Sequence, residues 1–274
     1  MTPAVLGSIV SLWRYPVKSM MGEELNATDV TERGLLGDRA YALVDSADGK
    51  VVSAKNPRKW PQMFDCRATL SDVPKTGVQV SAVRITLPDG TIVNSDQADI
   101  DRIVSNLVHR EVKLGCAFPE MRTATAEEYW PDVEGLDHRD TVIDFGLPEG
   151  TFFDCAFVHV LTTATLDRLR SLYPEGRFES RRFRPNIVVE TASGDRDFVE
   201  NAWVGHLLAI GDAVRLSITG PCSRCVMTTL PQGDLPRDTG VLRTAAQHNR
   251  GNVGVYASVV QGGRVRRGDS VTLN

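Results

Sequence analysis

Neither sign of charge is in large excess in the sequence, and it has no low-complexity tract and no internal repeat. Its 274 residues include 31 lysines and arginines against 35 aspartates and glutamates, so the formal net charge is −4. A chain without a basic excess is not expected to bind nucleic acid. Residues Met1 to Trp13 have no basic leader, and their apolar run is too brief to cross a membrane. We therefore expect a cytoplasmic protein whose partners include neither nucleic acid nor membrane.

Cysteine is scarce and forms an odd set of five, Cys66, Cys116, Cys155, Cys222 and Cys225. Without a secretion signal, this set indicates free thiols in a reducing compartment. A structural zinc site needs two more ligands than one Cys-x-x-Cys supplies, and the sequence has no second such pair and no closely spaced histidine pair. The spacing of plant-type iron–sulfur ligation is also missing.

Alternation of apolar and polar residues with period two dominates the chain and predicts half-buried strands. Val5 to Arg14 is expected to be the first strand. Asp48-Gly49 and Pro88-Asp89-Gly90 separate short apolar runs and predict hairpins, since Asp-Gly tolerates the positive φ of tight turns. Serial hairpins favour a barrel or a sandwich.

Helical patterns are fewer than strand patterns. Apolar residues lie on one helical face over Asp99 to Val108 and again over Thr162 to Tyr173, so we expect two or three peripheral helices. Between Glu120 and Glu149 the chain is acidic, with two prolines and little alternation. We interpret this stretch as a linker or a loop over a site and predict a domain boundary between residues 120 and 121.

The motif most relevant to function is Pro221-Cys222-Ser223-Arg224-Cys225, which follows the apolar positions Val214, Leu216 and Ile218. A thiolate suits soft metals, and the planar fork of arginine suits phosphate or carboxylate. The spacing alone also fits half a zinc site, a dithiol redox pair or two buried cysteines without chemistry. Redox pairs usually precede a helix, whereas Val226 to Leu230 has the composition of a strand.

Three further segments place basic groups where a loop meets a predicted strand. They are Tyr15-Pro16-Val17-Lys18-Ser19, Gly34-Leu35-Leu36-Gly37-Asp38-Arg39 and Arg181-Arg182-Phe183-Arg184-Pro185-Asn186. Each by itself is also typical of solvated turns or of a charged sheet edge. Their shared position predicts that they converge at the mouth of a barrel, where several charge-assisted hydrogen bonds hold a phosphate.

Taken together, these segments resemble the MOSC family, named after the carboxy-terminal domain of molybdenum cofactor sulfurase. The matching residues run from Leu12-Trp13-Arg14-Tyr15-Pro16-Val17-Lys18-Ser19 through the Arg-Pro-Asn and Cys-Ser-Arg-Cys motifs to Gly268-Asp269-Ser270-Val271, in order along nearly the whole chain. The arrangement is similar to the two-domain group that includes the mitochondrial amidoxime reducing component and its bacterial relatives. The resemblance implies a mainly β (α+β) protein of two β-rich domains, a MOSC N-terminal β-barrel domain (1–120) and a MOSC β-barrel-like domain (121–274) with peripheral helices.

The resemblance also implies a cofactor, Mo-molybdopterin, whose metal is held by one protein cysteine. By position in the motif, that metal ligand and catalytic residue is Cys225, while Cys222 has no assigned role. The family positions that contact the pterin or its phosphate correspond to Lys18, Ser19, Arg39, Arg184, Asn186, Ser223 and Arg224. The resemblance assigns no role to Asp154 or Thr162.

The activity that the resemblance implies is reduction of N-hydroxylated compounds by removal of oxygen at a cysteine-ligated molybdenum centre. The chain ends at Asn274, directly after its last predicted strand and without the ferredoxin domain of some relatives, so we expect a separate electron donor of ferredoxin or flavoprotein type. We name His248, in a predicted polar loop, as candidate proton donor because histidine titrates near neutral pH. The alternative is a carrier of the cofactor or of sulfur that has no turnover of its own.

Overall fold

The computed structural model describes residues 4–117, 123–134, 138–192, 194 and 196–274. Within these residues there are eighteen strands: β1 Ala4–Arg14, β2 Glu23–Leu25, β3 Ala27–Thr31, β4 Gly34–Leu35, β5 Tyr41–Asp45, β6 Arg67–Leu70, β7 Val83–Thr86, β8 Ile92–Asn94, β9 Val112–Cys116, β10 Thr125–Trp130, β11 Thr141–Gly146, β12 Val158–Thr162, β13 Ile187–Thr191, β14 Leu207–Ile210, β15 Val214–Ser223, β16 Asn252–Gln261, β17 Gly263–Arg266 and β18 Ser270–Leu273. The helices are α1 Ile100–Val108, α2 Thr163–Leu172, α3 Ser180–Phe183 and α4 Thr239–Asn249. The expected mainly β class is confirmed.

Seven strands form a closed barrel in the order β13, β12, β16, β15, β14, β18 and β1, and β1 also pairs with β13 to complete the ring. Only the β12–β13 pair is parallel among these neighbours. The alternation of Val214, Leu216 and Ile218 puts all three side chains in the barrel interior, where they are fully buried. The predicted first strand is confirmed, and it belongs to this barrel.

Smaller sheets contain most strands of the amino-terminal half. They are β5-β9, β6-β7-β8 and β17-β3-β4, the last of which includes one strand, β17, from the carboxy-terminal half. Helix α1 buries Ile100, Val104 and Val108 in a core shared with the β6-β7-β8 sheet. The hairpin predicted around Pro88-Asp89-Gly90 is confirmed, since β7 and β8 pair antiparallel and Gly90 has a φ of 86°.

Two expectations about local structure were wrong. The acidic stretch contains the antiparallel hairpin β10–β11, whose ladder pairs Tyr129 with Val142, and it is therefore not a plain linker. Residues Val226–Thr229 form a 3-10 helix instead of a strand, because Val226 and Met227 turn inward and pack in the core around α1. The predicted boundary between residues 120 and 121 lies outside the described residues.

Helices α1 and α2 lie where the apolar periodicity predicted them. The side chain of Thr162 caps α2 by accepting a hydrogen bond from the Thr165 amide at 3.1 Å. Among the residues that the structure describes, no helix has the length and apolar character needed to cross a membrane.

Candidate functional site

A cleft of about 710 Å³, counting the space that opens to solvent, lies where the barrel meets the amino-terminal sheets. The described residues of its lining include five cationic side chains and a single carboxylate, although the whole chain carries a net charge of −4. Such a local excess of cations favours anion binding. Every residue predicted to hold the cofactor or the metal lines this cleft: Lys18, Ser19, Arg39, Arg184, Asn186, Ser223, Arg224 and Cys225.

Cys225 lies at the base of the cleft, directly before the 3-10 helix Val226–Thr229. It is 7% exposed, because the two residues that follow it are anchored in the core around α1. Burial raises the pKa of the Cys225 thiol to about 12, and Glu128 adds to this effect, while Lys55 and Arg224 oppose it. A buried thiol beside two cations is suited to ligate a metal ion, since metal binding releases its proton.

Lys18 and Ser19 enter the cleft from the segment that follows β1. The Lys18 ammonium donates to Phe152 O at 2.8 Å and forms an ion pair with Asp154. The hydroxyl oxygen of Ser19 accepts a hydrogen bond from the Ala54 amide at 3.0 Å, so its own hydrogen can be donated to a ligand. Both residues therefore keep donors that can serve an anionic group.

Arg39 follows the turn after β4 and is held by its neighbours. Its guanidinium pairs with Asp38 and lies between two aromatic rings, 4.5 Å from the centre of Tyr15 and 5.8 Å from that of Phe153. These contacts fix the plane of the guanidinium.

Arg184 comes from the turn between α3 and β13. Its side chain is buried, donates to Met20 O at 2.7 Å and stacks 4.1 Å above the Tyr15 ring. Burial lowers the pKa of Arg184 to about 10, with Arg39 adding to the shift, so the group stays cationic at neutral pH.

Asn186 has a different position from the cationic residues. Its amide donates to Asp38 at 2.8 Å and to Trp13 O at 3.3 Å, and its oxygen accepts from the His159 amide at 3.0 Å. Both amide hydrogens are thus used inside the protein. This geometry favours a role in joining β1, β12 and β13 below the cleft, and the predicted cofactor contact stays a prediction.

Ser223 ends β15, and Arg224 follows it, next to Cys225. The Arg224 guanidinium donates to Phe183 O at 2.9 Å and to the sulfur of Cys222 at 2.7 Å. Its Nε atom is buried and has no hydrogen-bond partner among the described residues. Ser223 is exposed and lines the cleft beside it.

Three of the eight predicted residues have a backbone conformation that is unusual for their type. Ser19, Arg39 and Arg184 have φ values of 66°, 48° and 52°, in the left-handed region. Six non-glycine residues of the described chain have a positive φ, so half of them lie at this cleft. Such strain is concentrated at functional sites, and here it points all three side chains to one place.

The structure adds cleft residues that the sequence did not reveal. Lys55 follows the Asp48-Gly49 turn after β5 and forms ion pairs with Glu128 at 3.3 Å and Asp154 at 3.4 Å. Burial alone lowers the pKa of Lys55, but Asp154 and then Cys225 and Glu128 outweigh it and raise that pKa. A lysine after a predicted hairpin was the one available signal for this residue.

His159 and Tyr256 also line the cleft, from β12 and β16. Their rings meet edge to face at 6.2 Å. Strand β16 can pass this close because residue 254 is glycine: a Cβ there would lie 2.6 Å from Val160 O and closer still to His159. Both residues lie on strands, β12 and β16, for which the sequence analysis predicted no chemistry.

His248 is the one predicted site residue that does not line the cleft. It lies in the last turn of α4 and its side chain is exposed, so the expectation of a polar loop at this position was wrong. The histidine that the fold does bring to the cleft is His159. A proton-donating role of His248 has no support from this geometry.

Comparison with known families and proteins gives a consistent result. The MOSC domain family matches residues 148–272, and the MOSC N-terminal beta barrel domain family matches residues 6–112. The chain is 26% identical over 258 residues to mitochondrial amidoxime reducing component 2 of Rattus norvegicus, covering 86% of this chain and 69% of the relative. It is 25% identical to mitochondrial amidoxime-reducing component 1 of Homo sapiens, covering 86% and 68%.

Two further similarities extend this list. The chain is 24% identical to molybdenum cofactor sulfurase of Oryza sativa subsp. japonica over 86% of its own length, but this covers only 30% of that longer protein. Among solved structures, the YuaD protein of Bacillus subtilis is similar with a TM-score of 0.48 and 11% identity, covering 97% of this chain and 94% of that one. The two domain matches together place the chain in the MOSC family, with a MOSC N-terminal beta barrel domain followed by a MOSC domain.

Proposed function

We propose that the protein binds the molybdenum cofactor in this cleft, with Cys225 as the protein ligand of the metal. The observation that carries the proposal is the meeting of one buried thiol with five cationic side chains in a single cleft. A thiolate suits a soft, sulfur-rich metal centre, and the cations suit the phosphate of its pterin carrier. The relatives named amidoxime reducing component and molybdenum cofactor sulfurase support this assignment.

The phosphate would be held by donors from both halves of the chain. Lys18, Ser19 and Arg39 supply an ammonium, a hydroxyl and a guanidinium from the amino-terminal side, and Arg184 and Arg224 supply guanidinium groups from the barrel. The donor set fits the group, because the buried Nε of Arg224 has no partner among the described residues and the cationic charges exceed the carboxylate charge in the lining.

We infer an oxidoreductase that reduces N-hydroxylated compounds, with electrons from a separate donor protein of ferredoxin or flavoprotein type, in the cytoplasm. The cofactor, when bound, supplies a two-electron metal centre able to accept oxygen from an N–OH group. The chain's own contribution is electrostatic. Lys55 and Arg224 place positive charge beside Cys225, and this charge would stabilise negative charge that develops on a substrate bound there.

The test compares metal content among three forms of the full chain made in a host that synthesises the cofactor. Wild type and Cys155→Ala should contain molybdenum in stoichiometric amount, because Cys155 lines the same cleft but is not the proposed ligand. Cys225→Ala should lose the metal. Equal molybdenum in Cys225→Ala and wild type would remove Cys225 as the ligand.

Turnover is measured on the same preparations with an aromatic amidoxime and a chemically reduced viologen dye as electron source. We expect amidine formation by wild type and Cys155→Ala, and none by Cys225→Ala. Molybdenum-loaded wild type that forms no amidine with this amidoxime would contradict the reductase assignment and favour the carrier function.

A further inference from the structure

Cys222 is a fully buried cysteine that the proposed function does not use. Its exposure is 0%, and it lies near the end of β15. The sulfur is 2.7 Å from Nη1 of Arg224, a guanidinium that lines the cleft. A second cysteine this near to Cys225 could have been a second metal ligand or a redox partner. The Cys222 sulfur instead lies against a cation.

Arg224 has no carboxylate partner among the described residues. Its other polar contacts are Phe183 O, which accepts from Nη2 at 2.9 Å, and Gly251 O, which accepts from the backbone amide at 2.8 Å. Arg224 is half-buried, and a guanidinium partly withdrawn from water is stabilised by an opposite charge close to it. The atom placed to do so is the sulfur of Cys222.

We propose that Cys222, as a thiolate, is the counter-ion that fixes the Arg224 guanidinium in the cleft, and that it is a positioning residue, not a metal ligand or a redox thiol. The inference rests on the proposed function only in that Arg224 serves an anionic ligand there. Redox and metal-binding thiols need exposure or an open approach, and this sulfur has neither.

The titratable groups around Cys222 agree with this assignment. Burial raises the pKa of the Cys222 thiol, but Arg224 and next His159 outweigh it and lower that pKa to about 6; Tyr256 also favours the thiolate. Tyr256 in turn has a raised pKa, from burial and from the charge of Cys222, with Cys155 adding to it. At pH 7 the thiolate should exceed the thiol by about tenfold.

The first test measures the ultraviolet absorbance of thiolate in the folded full chain, prepared without cofactor, as a function of pH. Wild type should gain one thiolate with a midpoint near pH 6. Cys222→Ser should lose this step. Cys66→Ser is the matched control, because Cys66 is also buried and burial raises its pKa to about 12. Persistence of the step in Cys222→Ser would overturn the proposal.

The second test measures the same titration in Arg224→Met, which keeps Cys222 itself. Without the guanidinium, burial should move the midpoint of the Cys222 step upward by at least about two pH units. An unchanged midpoint would overturn the pairing. This variant also serves if Cys222→Ser does not fold.

A double-variant cycle separates a counter-ion from a merely well-packed side chain. Cys222→Ser should lower the urea midpoint, because it leaves the guanidinium unbalanced, and Cys222→Ser combined with Arg224→Met should recover most of the loss. Additive losses would contradict the pairing. None of these measurements needs molybdenum. Absence of the thiolate step with intact Cys225-dependent metal binding would sink this inference and leave the proposed function standing.

Discussion

The two sides of the cleft carry similar numbers of cations but balance them differently. On the amino-terminal side each cation has a carboxylate partner, in the pairs Lys18–Asp154, Arg39–Asp38 and Lys55–Glu128. On the barrel side, Arg184 and Arg224 have none among the described residues and contact carbonyl oxygens, aromatic rings and a sulfur atom. With the Cys222 sulfur facing Arg224, Arg184 is the cleft cation with no anionic partner among the described residues, and we expect it to dominate anion affinity.

The largest effect is expected from Arg184→Met. Loss of a charged hydrogen-bond donor from a buried position should weaken binding of inorganic phosphate by about tenfold to a hundredfold, equivalent to about 1.5–3 kcal/mol. Isothermal titration at low salt measures this. Arg14→Met is the matched control, since Arg14 is equally buried but pairs with Glu23 and does not line the cleft. Equal losses of phosphate affinity in Arg184→Met and Arg14→Met would contradict the proposed difference between the two sides of the cleft.

A smaller effect of opposite sign is expected from Asp154→Asn. Among the described residues this change removes the only carboxylate of the cleft lining, so phosphate should bind about two- to tenfold more tightly at neutral pH. The same change breaks the ion pair with Lys18 and should lower the free energy of unfolding by about 1–3 kcal/mol. Unchanged or weaker phosphate binding would show that the amino-terminal side is not neutralised by this group.

The stability of Asp154→Asn in acid provides a second test of the ion pairs of Asp154. Burial alone raises the pKa of Asp154, but Lys18 and Lys55 outweigh it and hold that pKa well below its usual range. A folded pKa below the unfolded value of about 3.9 stabilises the fold above that pH, and this stability is lost as pH falls further. Wild type should therefore lose stability below about pH 4 more steeply than Asp154→Asn.

The smallest effect is expected from His248→Ala, which lies on neither side of the cleft. An exposed side chain on the last turn of α4 should change the free energy of unfolding by less than about 0.5 kcal/mol and leave phosphate affinity unchanged. His159→Ala is the contrast, because it opens a cavity beside the cleft and should cost about 2 kcal/mol or more. A loss of phosphate affinity in His248→Ala would contradict the position of His248 outside the cleft.

The sequence predicted the convergence of the basic and cysteine segments better than it predicted the local structure around them. The Lys-Ser, Gly-Asp-Arg, Arg-Pro-Asn and Cys-Ser-Arg-Cys segments do converge, because each follows or precedes a strand whose alternation is readable. The 3-10 helix after Cys225 was not predictable, since its residues Val226 and Met227 are turned inward by a core that belongs to the other half of the chain. Tertiary packing overrides the strand propensity there.

Other residues of the cleft are brought there by contacts between segments distant in sequence, so the local sequence did not predict them. Lys55 is 73 residues from Glu128 in the chain and yet pairs with it. His159 and Tyr256 occupy ordinary strand positions, and only the register of β12 against β16 makes them neighbours. The polar residues around His248 predict a loop, but burial of Val241, Leu242 and Ala245 on one face makes this segment a helix.

The place of β1 in the barrel has a consequence for how the protein can be dissected. This strand lies between β18 and β13 although it comes first in the chain. A fragment that begins after residue 14 would expose two unpaired strand edges and would be prone to aggregate or to recruit a foreign strand. Closure between such distant segments also costs loop entropy before any contact is gained, so slow folding is expected. Isolated pieces matching the MOSC domain alone are therefore poor surrogates for the intact polypeptide in binding experiments.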